Sequence, residues 1–167
     1  ITLNGSSGVD NLYGDERDNI INAGDSDDYI SGGTGDNIIS GGQGSDIFFV
    51  SQNAGKTDTI TDFDVNDINE RISLRNFKEI KNVDDLNITQ EGNNTVILLD
   101  SGQKIVLDNT QKDELNNKNF IFFGQTLGTD QNNRIVGSDF PDLIDGGDGN
   151  DVIRGLEWDD NIYGGKG

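Results

Sequence analysis

From Gly5 the chain falls into rows of nine residues, GSSGVDNLY, GDERDNIIN, AGDSDDYIS, GGTGDNIIS and GGQGSDIFF, and the phase does not slip before residue 49. The register returns at Gly128 as GTDQNNRIV, GSDFPDLID, GGDGNDVIR and GLEWDDNIY, followed by GGKG, part of another row. Position 8 of the rows is Leu12, Ile21, Ile30, Ile39 and Phe48, then Ile135, Ile144, Ile153 and Ile162. In a chain that is 31% apolar, nine apolar residues in nine rows arise by chance with a probability on the order of 10⁻⁵ in a given phase. Position 6 is Asp or Asn in every row.

Composition narrows the chemistry. The 167 residues carry 31 acidic against 12 basic side chains, a formal charge of -19, with no Cys, His or Met. A nucleic-acid interface lacks its basic face, a disulfide scaffold or Cys/His zinc site lacks its ligands, and catalysis by histidine is absent. No apolar run approaches the roughly 18 residues of a membrane span. The acids are 25 Asp and 6 Glu, alongside 21 Asn, 23 Gly and one Pro. Disordered acidic tails favour Glu, Pro, Ser and Lys, whereas Asp, Asn and Gly are residues of tight turns and of oxygen-rich cation sites.

The rows resemble the Gly-Gly-x-Gly-x-Asp-x-U-x nonapeptide of the RTX (hemolysin-type) calcium-binding proteins. GGQGSDIFF and GGDGNDVIR match in full, GGTGDNIIS has Asn for Asp, and GDERDNIIN and GLEWDDNIY keep fragments. Early glycines let the chain turn sharply and bring carbonyls together, position 6 supplies a hard oxygen, and x-U-x is a short strand with one side chain inward. Two rows complete one coil, so side chains two rows apart stack about 4.8 Å from each other. The expected fold is all-β, a calcium-bound parallel β-roll in two blocks, 1–50 and 127–167, flanking a β-rich sandwich-like or capping segment, 51–126.

Stacking brings like charges together. Asp10, Asp28 and Asp46 fall on one edge, and carboxylates about 4 to 5 Å apart repel by roughly 1 kcal/mol per pair in water and by several times that in a partly buried turn. A cation between them reverses the sign, and calcium suits flexible turns offering six or more oxygens better than magnesium does. The resemblance implies an ion between rows n and n+2. It takes the carbonyls of positions 2 and 4 and the position-6 side chain below, and those of positions 1 and 3 with the position-6 side chain above. That implies Ser6, Gly8 and Asp10 with Ala23, Asp25 and Asp28, and Gly24, Ser26 and Asp28 with Gly41, Gln43 and Asp46. In the second block it implies Ser138, Phe140 and Asp142 with Gly155, Glu157 and Asp160, and Thr129, Gln131 and Asn133 with Gly146, Asp148 and Asp151. A further site of Gly147, Gly149 and Asp151 lacks a partner row with its own position 6. On the opposite edge of the first block Asn19 faces Gly32, Thr34 and Asn37, and Arg17 stands at position 4. An amide oxygen brings no charge, so this edge is expected to bind more weakly or stay partly empty. The site pairs imply about four to six calcium ions.

Between Val50 and Thr126 the rows give way to β-rich runs: DTITDF, RISL, LNIT, TVILL, KIVL and FIFF. TVILL and KIVL, joined by Asp100-Ser101-Gly102-Gln103, read as a hairpin, and Val83 to Leu86 and Lys112 to Asn117 each read as a helical turn. The order of GGQGSDIFFV, DTITDFDVNDINERISL and LNNKNFIFF is similar to the C-terminal calcium domain of serralysin-type metalloproteases and to the regulatory modules of mannuronan epimerases. That resemblance implies Asp58 as a ligand closing the last site, while Asp62 and Asp64 read as a solvated strand end. No His-Glu-x-x-His is present, EF-hand spacing fails at Asp25, Asp145 and Asp148, and the Gly-x-Gly pieces at Gly33 and Gly147 lack the third glycine of a dinucleotide loop. Trp158 occupies a turn position and reads as an exposed or packing residue.

No catalytic residues are expected. The reading is a calcium-binding module of a larger type I-secreted bacterial protein that folds on calcium outside the cell. Rows cut at both ends and the absence of Met read as an internal excerpt. Two alternatives share the pattern: a module binding an anionic, alginate-like polysaccharide, since the middle segment holds eight of the twelve basic residues, and a structural module of a calcium-stiffened adhesin or surface layer. The basic residues include Arg71, Arg75, Lys78, Lys81 and Lys104, and a solvated face is their plainest reading.

Overall fold

Each x-U-x triplet forms a strand because alternation puts one apolar side chain inward and leaves its neighbours outside. The computed structural model describes residues 1–137, 142–156 and 160–167. In the first block the strands are β1 (Thr2–Asn4), β2 (Asn11–Tyr13), β3 (Ile20–Asp25), β4 (Tyr29–Ser31), β5 (Asn37–Gln43) and β6 (Ile47–Phe49). Odd strands pair in parallel in one sheet and even strands in the other, with Leu3 beside Ile21 beside Ile39 and Leu12 beside Ile30 beside Phe48. Each rung thus lies two rows from the next, one full coil. Position 8 faces inward: Ile21, Ile30, Ile39 and Phe48 are buried.

The middle segment continues the coil. Its strands are β7 (Thr57–Ile60), β8 (Arg71–Ser73), β9 (Asn87–Glu91), β10 (Asn94–Leu98), β11 (Lys104–Leu107) and β12 (Phe120–Ile121). They extend both sheets of the roll, giving one seven-stranded sheet in the order β1-β3-β5-β7-β11-β10-β9 and a five-stranded one in the order β12-β8-β6-β4-β2. Ile60 stacks on Ile39 and Leu107 on Ile60, while Ile72 stacks on Phe48 and Phe120 on Ile72. One hydrophobic cluster runs from Ile21 to Phe122 through both parts, and each large side chain withdrawn from water contributes roughly 1.5 to 3 kcal/mol. The segment is sandwich-like because the two sheets face each other.

The β10–β11 hairpin is antiparallel as expected, and its loop puts Ser101 at φ 64°. The expected helical turns are short 3-10 turns at Val83–Asp85, Lys112–Glu114 and Asn117–Asn119, with Asn82 and Asn116 capping the first and third. The second block repeats the roll with β13 (Gln125–Leu127), β14 (Arg134–Val136), β15 (Leu143–Asp145), β16 (Val152–Arg154) and β17 (Asn161–Tyr163), paired β13-β15-β17 and β14-β16. Ile135 and Ile144 are buried. Among the described residues no helix is long and apolar enough to cross a membrane.

Candidate metal centre

The turns between strands stack into two columns, one on each edge of each roll. At position 2 of the later rows Gly24, Gly33, Gly42 and Gly147 have positive φ, and at position 4 so do Ser26, Gly35, Gly44 and Gly149. This alternation points successive carbonyls into the column. A Cβ on Gly42 would lie 1.9 Å from the Gly24 carbonyl oxygen, and one on Gly41 would lie 2.0 Å from Asp46 Oδ2. The space between coils is a cradle of oxygens that side-chain carbon would fill. In the rows that open a column, position 2 is Ser6, Asp15 or Thr129, whose side-chain oxygen accepts the N–H of Gly8, Arg17 or Gln131. A local side-chain turn replaces the left-handed glycine there.

Position 6 holds the columns in register. The Asp28 carboxylate accepts the backbone N–H of Asp10 at 2.7 Å, Asp46 that of Asp28 at 2.9 Å, Asp151 that of Asn133 at 2.8 Å and Asp160 that of Asp142 at 3.0 Å. The second oxygen is left facing the cradle: Asp28 Oδ2 and Asp151 Oδ2 are buried without a hydrogen-bond partner. A buried, unpartnered carboxylate oxygen costs several kcal/mol unless a cation meets it. Burial first, then the charges of Asp10, Asp27 and Asp25, raises the Asp28 carboxyl above its usual range. Burial, then the charges of Asp28, Asp62 and Asp27, pushes Asp46 up to about 6 against the backbone bond that lowers it. Among the described residues no three acid, His or Cys side chains converge on one point. The Asp10–Asp28, Asp28–Asp46 and Asp142–Asp160 cradles each offer two carboxylates, and the Asn133–Asp151 cradle one, beside backbone carbonyls, a hard, oxygen-only donor set that fits calcium.

The sequence of this donor set decides the family. A family model, the RTX calcium-binding nonapeptide repeat (4 copies), matches residues 4–39, 23–52 and 127–157. The two row blocks are RTX calcium-binding repeats. Such repeats bind calcium. Among solved structures, the AlgE6R3 subunit of the Azotobacter vinelandii mannuronan C5-epimerase is similar over 70% of this chain and 80% of that one, at 18% identity and a TM-score of 0.40. No curated protein matches the chain.

The RTX columns gather most of the expected residues. Ser6 and Asp10 meet Ala23, Asp25 and Asp28: the Asp25 N–H donates to the Ser6 carbonyl at 3.2 Å, and a Cβ on Gly5 would lie 2.0 Å from the Ala23 oxygen. Gly24, Ser26 and Asp28 face Gly41, Gln43 and Asp46 through the β3–β5 pairing and the Asp28–Asp46 bond. Thr129 and Asn133 face Gly146 and Asp151, and Asp142 faces Asp160. Ser138, Phe140, Glu157 and Trp158 lie outside the described residues.

The asparagine edge differs in kind. The Asn19 amide donates to the Arg17 carbonyl and to the Gly32 carbonyl, which are the position-4 and position-1 oxygens of its cradle. The Asn37 amide donates to Asp58 Oδ1 at 2.7 Å. An amide N–H therefore reaches into the space between oxygens, which a carboxylate cannot do. Arg17 turns onto Asp15 of its own row and, with the Arg17 backbone N–H, holds that carboxyl well below the usual range. Asp58 stands on the next rung of this column, opposite Asn37 although the rows have already ended. Burial, with the Asn37 amide opposing it, pushes Asp58 up to about 6.

One reading of the middle segment changes and another gains detail. Asp62 is exposed just past the end of β7, as expected of a solvated strand end, and there it also accepts from Ser40 Oγ and from the N–H groups of Gly41 and Gly42. Arg71 does not lie on a solvated face; it is 7% exposed and donates to backbone carbonyls. Lys56 pairs with Asp36 and Arg75 faces Asp142. Sequence reasoning also missed Glu70. The Ile47–Arg71 pairing puts Glu70 opposite Asp46, on the next rung of the aspartate column. It is buried, accepts the Asp64 N–H at 2.9 Å, and burial with the charges of Asp46, Asp62 and Asp67 pushes its carboxyl up to about 8. It lies further along the chain from Asp46 than two rows reach, so a search at the row interval passes over it.

Proposed function

We propose that the chain is a calcium-dependent folding module of a larger, type I-secreted protein, in which calcium entering the aspartate columns supplies the energy that completes the rolls outside the cell. The observation that carries this reading is the Asp10–Asp28–Asp46 column with Asp28 Oδ2 buried and unpartnered. Such a column is unfavourable at neutral pH until a divalent ion meets it, so binding energy is also folding energy. The ions lie between Asp10 and Asp28, between Asp28 and Asp46, and between the second-block pairs Asn133–Asp151 and Asp142–Asp160. Glu70 and Asp62 close the far end of the first column. On the asparagine edge the Asn19 and Asn37 amides donate to the oxygens that line the space, and that edge binds calcium more weakly. In low cytosolic calcium the rows stay disordered, and millimolar calcium outside drives folding. No residue of the chain is assigned catalysis.

The test is far-ultraviolet circular dichroism during a calcium titration, with magnesium as control. The β-signal is expected to rise with calcium and to respond weakly to magnesium, whose octahedral demand the turns do not meet. A chain with the same β-content in EDTA would overturn the proposal.

A further inference from the structure

Two arginines close the lower end of the second roll. Arg71 begins β8, and its Nε donates to the Ile68 carbonyl at 2.8 Å. Its Nη1 donates across the block boundary, 3.4 Å from the Leu127 oxygen and 3.3 Å from the Gly128 oxygen. Asp67 and Asp145 are the carboxylates whose fields it feels. Arg75, two residues past β8, puts Nη2 3.7 Å from Asp142 Oδ1, whose side chain is fully buried. Gly128 is position 1 of its row and Asp142 is position 6 of the next, on opposite edges of the roll. In the pairs whose upper row carries Asp at position 6, these are the upper row's position-1 carbonyl and position-6 carboxylate, which face a lower row. Here no lower row exists: the places two rows back are taken by Thr110 and Gly124, outside any repeat.

We propose that Arg71 and Arg75 act as built-in cations in the two half-sites at the bottom of the second roll, and so couple its calcium-driven folding to the folding of β8. This rests on the calcium reading above. A guanidinium suits the task because it stays charged and carries several donors in one plane, and a buried one demands oxygen partners, which the open end of the roll supplies. Arg71 then gives the first row of the second block, and Arg75 the second row, the positively charged neighbour that calcium gives to later rows. The second block needs no complete calcium site at its base, provided that β8 is in place.

Trp158 is the chain's single tryptophan and belongs to the row 155–163, so its emission reports on the second block while circular dichroism reports on both. In the wild-type chain the two signals are expected to share one calcium midpoint. In Arg75→Gln, and more so in Arg71→Gln/Arg75→Gln, the tryptophan midpoint is expected to move to about fivefold higher calcium or beyond, the lower end of ordinary coupling, while Arg75→Lys recovers most of the shift. Arg75→Gln guards against misfolding, since the Arg75 side chain is partly exposed and lies outside β8. A wild-type response with an unmoved tryptophan midpoint in the variants overturns the coupling alone, as does a shift to lower calcium, which would mean that Arg75 merely repels the ion. A wild-type chain whose emission and dichroism both ignore calcium overturns the folding proposal and the coupling with it.

Discussion

Asp46 Oδ1 accepts the backbone N–H of Asp28 at 2.9 Å, two buried acids locked one coil apart. The bond fixes register along the column but leaves each carboxylate its charge. On the facing edge Asn37 Oδ1 accepts the Asn19 N–H at the same 2.9 Å, so geometry is shared and charge is not. Each edge keeps a buried oxygen without a hydrogen-bond partner, Asp28 Oδ2 on one and Asn19 Oδ1 on the other, and the edges differ in that only the first brings carboxylate charge to it.

Exchanging the side chains should therefore exchange the behaviour. Asp28→Asn removes one charge from two adjoining sites and is expected to raise the calcium midpoint about tenfold, equivalent to about 1.4 kcal/mol, while improving residual structure in EDTA. Asn37→Asp should do the reverse, bringing a second carboxylate against Asp58 and adding one bound ion by isothermal calorimetry. An unchanged ion count in Asn37→Asp would show that amides are not what keeps that edge from calcium.

Acidity should act on the two states in opposite senses. Asp46 and Asp58 near 6 and Glu70 near 8 lie above the unfolded values of roughly 4. Between about pH 4 and 8 the metal-free fold therefore binds more protons than the unfolded chain, and its stability falls as pH rises through that window. In EDTA the β-signal should be larger at pH 5 than at pH 8. Because calcium displaces those protons, the calcium midpoint should drop as pH rises from 5 to 8. Titrations at four pH values in that range check both trends, and a flat midpoint would refute the assignment.

Glycine should matter by place. Gly42 has φ 103° and its Cβ would meet the Gly24 carbonyl at 1.9 Å, whereas Gly92 has φ 64° with nothing within 4 Å. Gly92→Ala is expected to cost about 1 kcal/mol for the left-handed backbone alone. Gly42→Ala adds displacement of a cradle oxygen, about 2 kcal/mol or more, together with weaker calcium binding. Urea midpoints at saturating calcium, with calorimetry, separate the two.

Ile72 is fully buried, stacked between Phe48 and Phe120. Ile72→Ala should cost about 2 to 5 kcal/mol. Because both sheets run unbroken from the rows into the middle segment, the loss should appear as one shifted unfolding transition for the chain from β1 to β12. Separate transitions for the rows and the middle segment would show that the shared sheets do not make one cooperative unit.

By itself the sequence determined whatever repeats at a fixed interval: the coil of two rows, the inward side chain at position 8, and the edge on which Asp10, Asp28 and Asp46 stack. A period can be read because each row meets the same environment as the row one coil away. Only the tertiary structure decided what breaks the period. Asp58 and Glu70 take rungs beyond the two-row interval from Asn37 and Asp46, since a sheet ladder fixes strand spacing whatever length of chain loops between rungs. The amide of Asn19 reaching its carbonyls, and Arg71 and Arg75 meeting Gly128 and Asp142 from a distant part of the chain, follow from side-chain direction and from which strand lies beneath which. Neither is written in the order of residues along the chain.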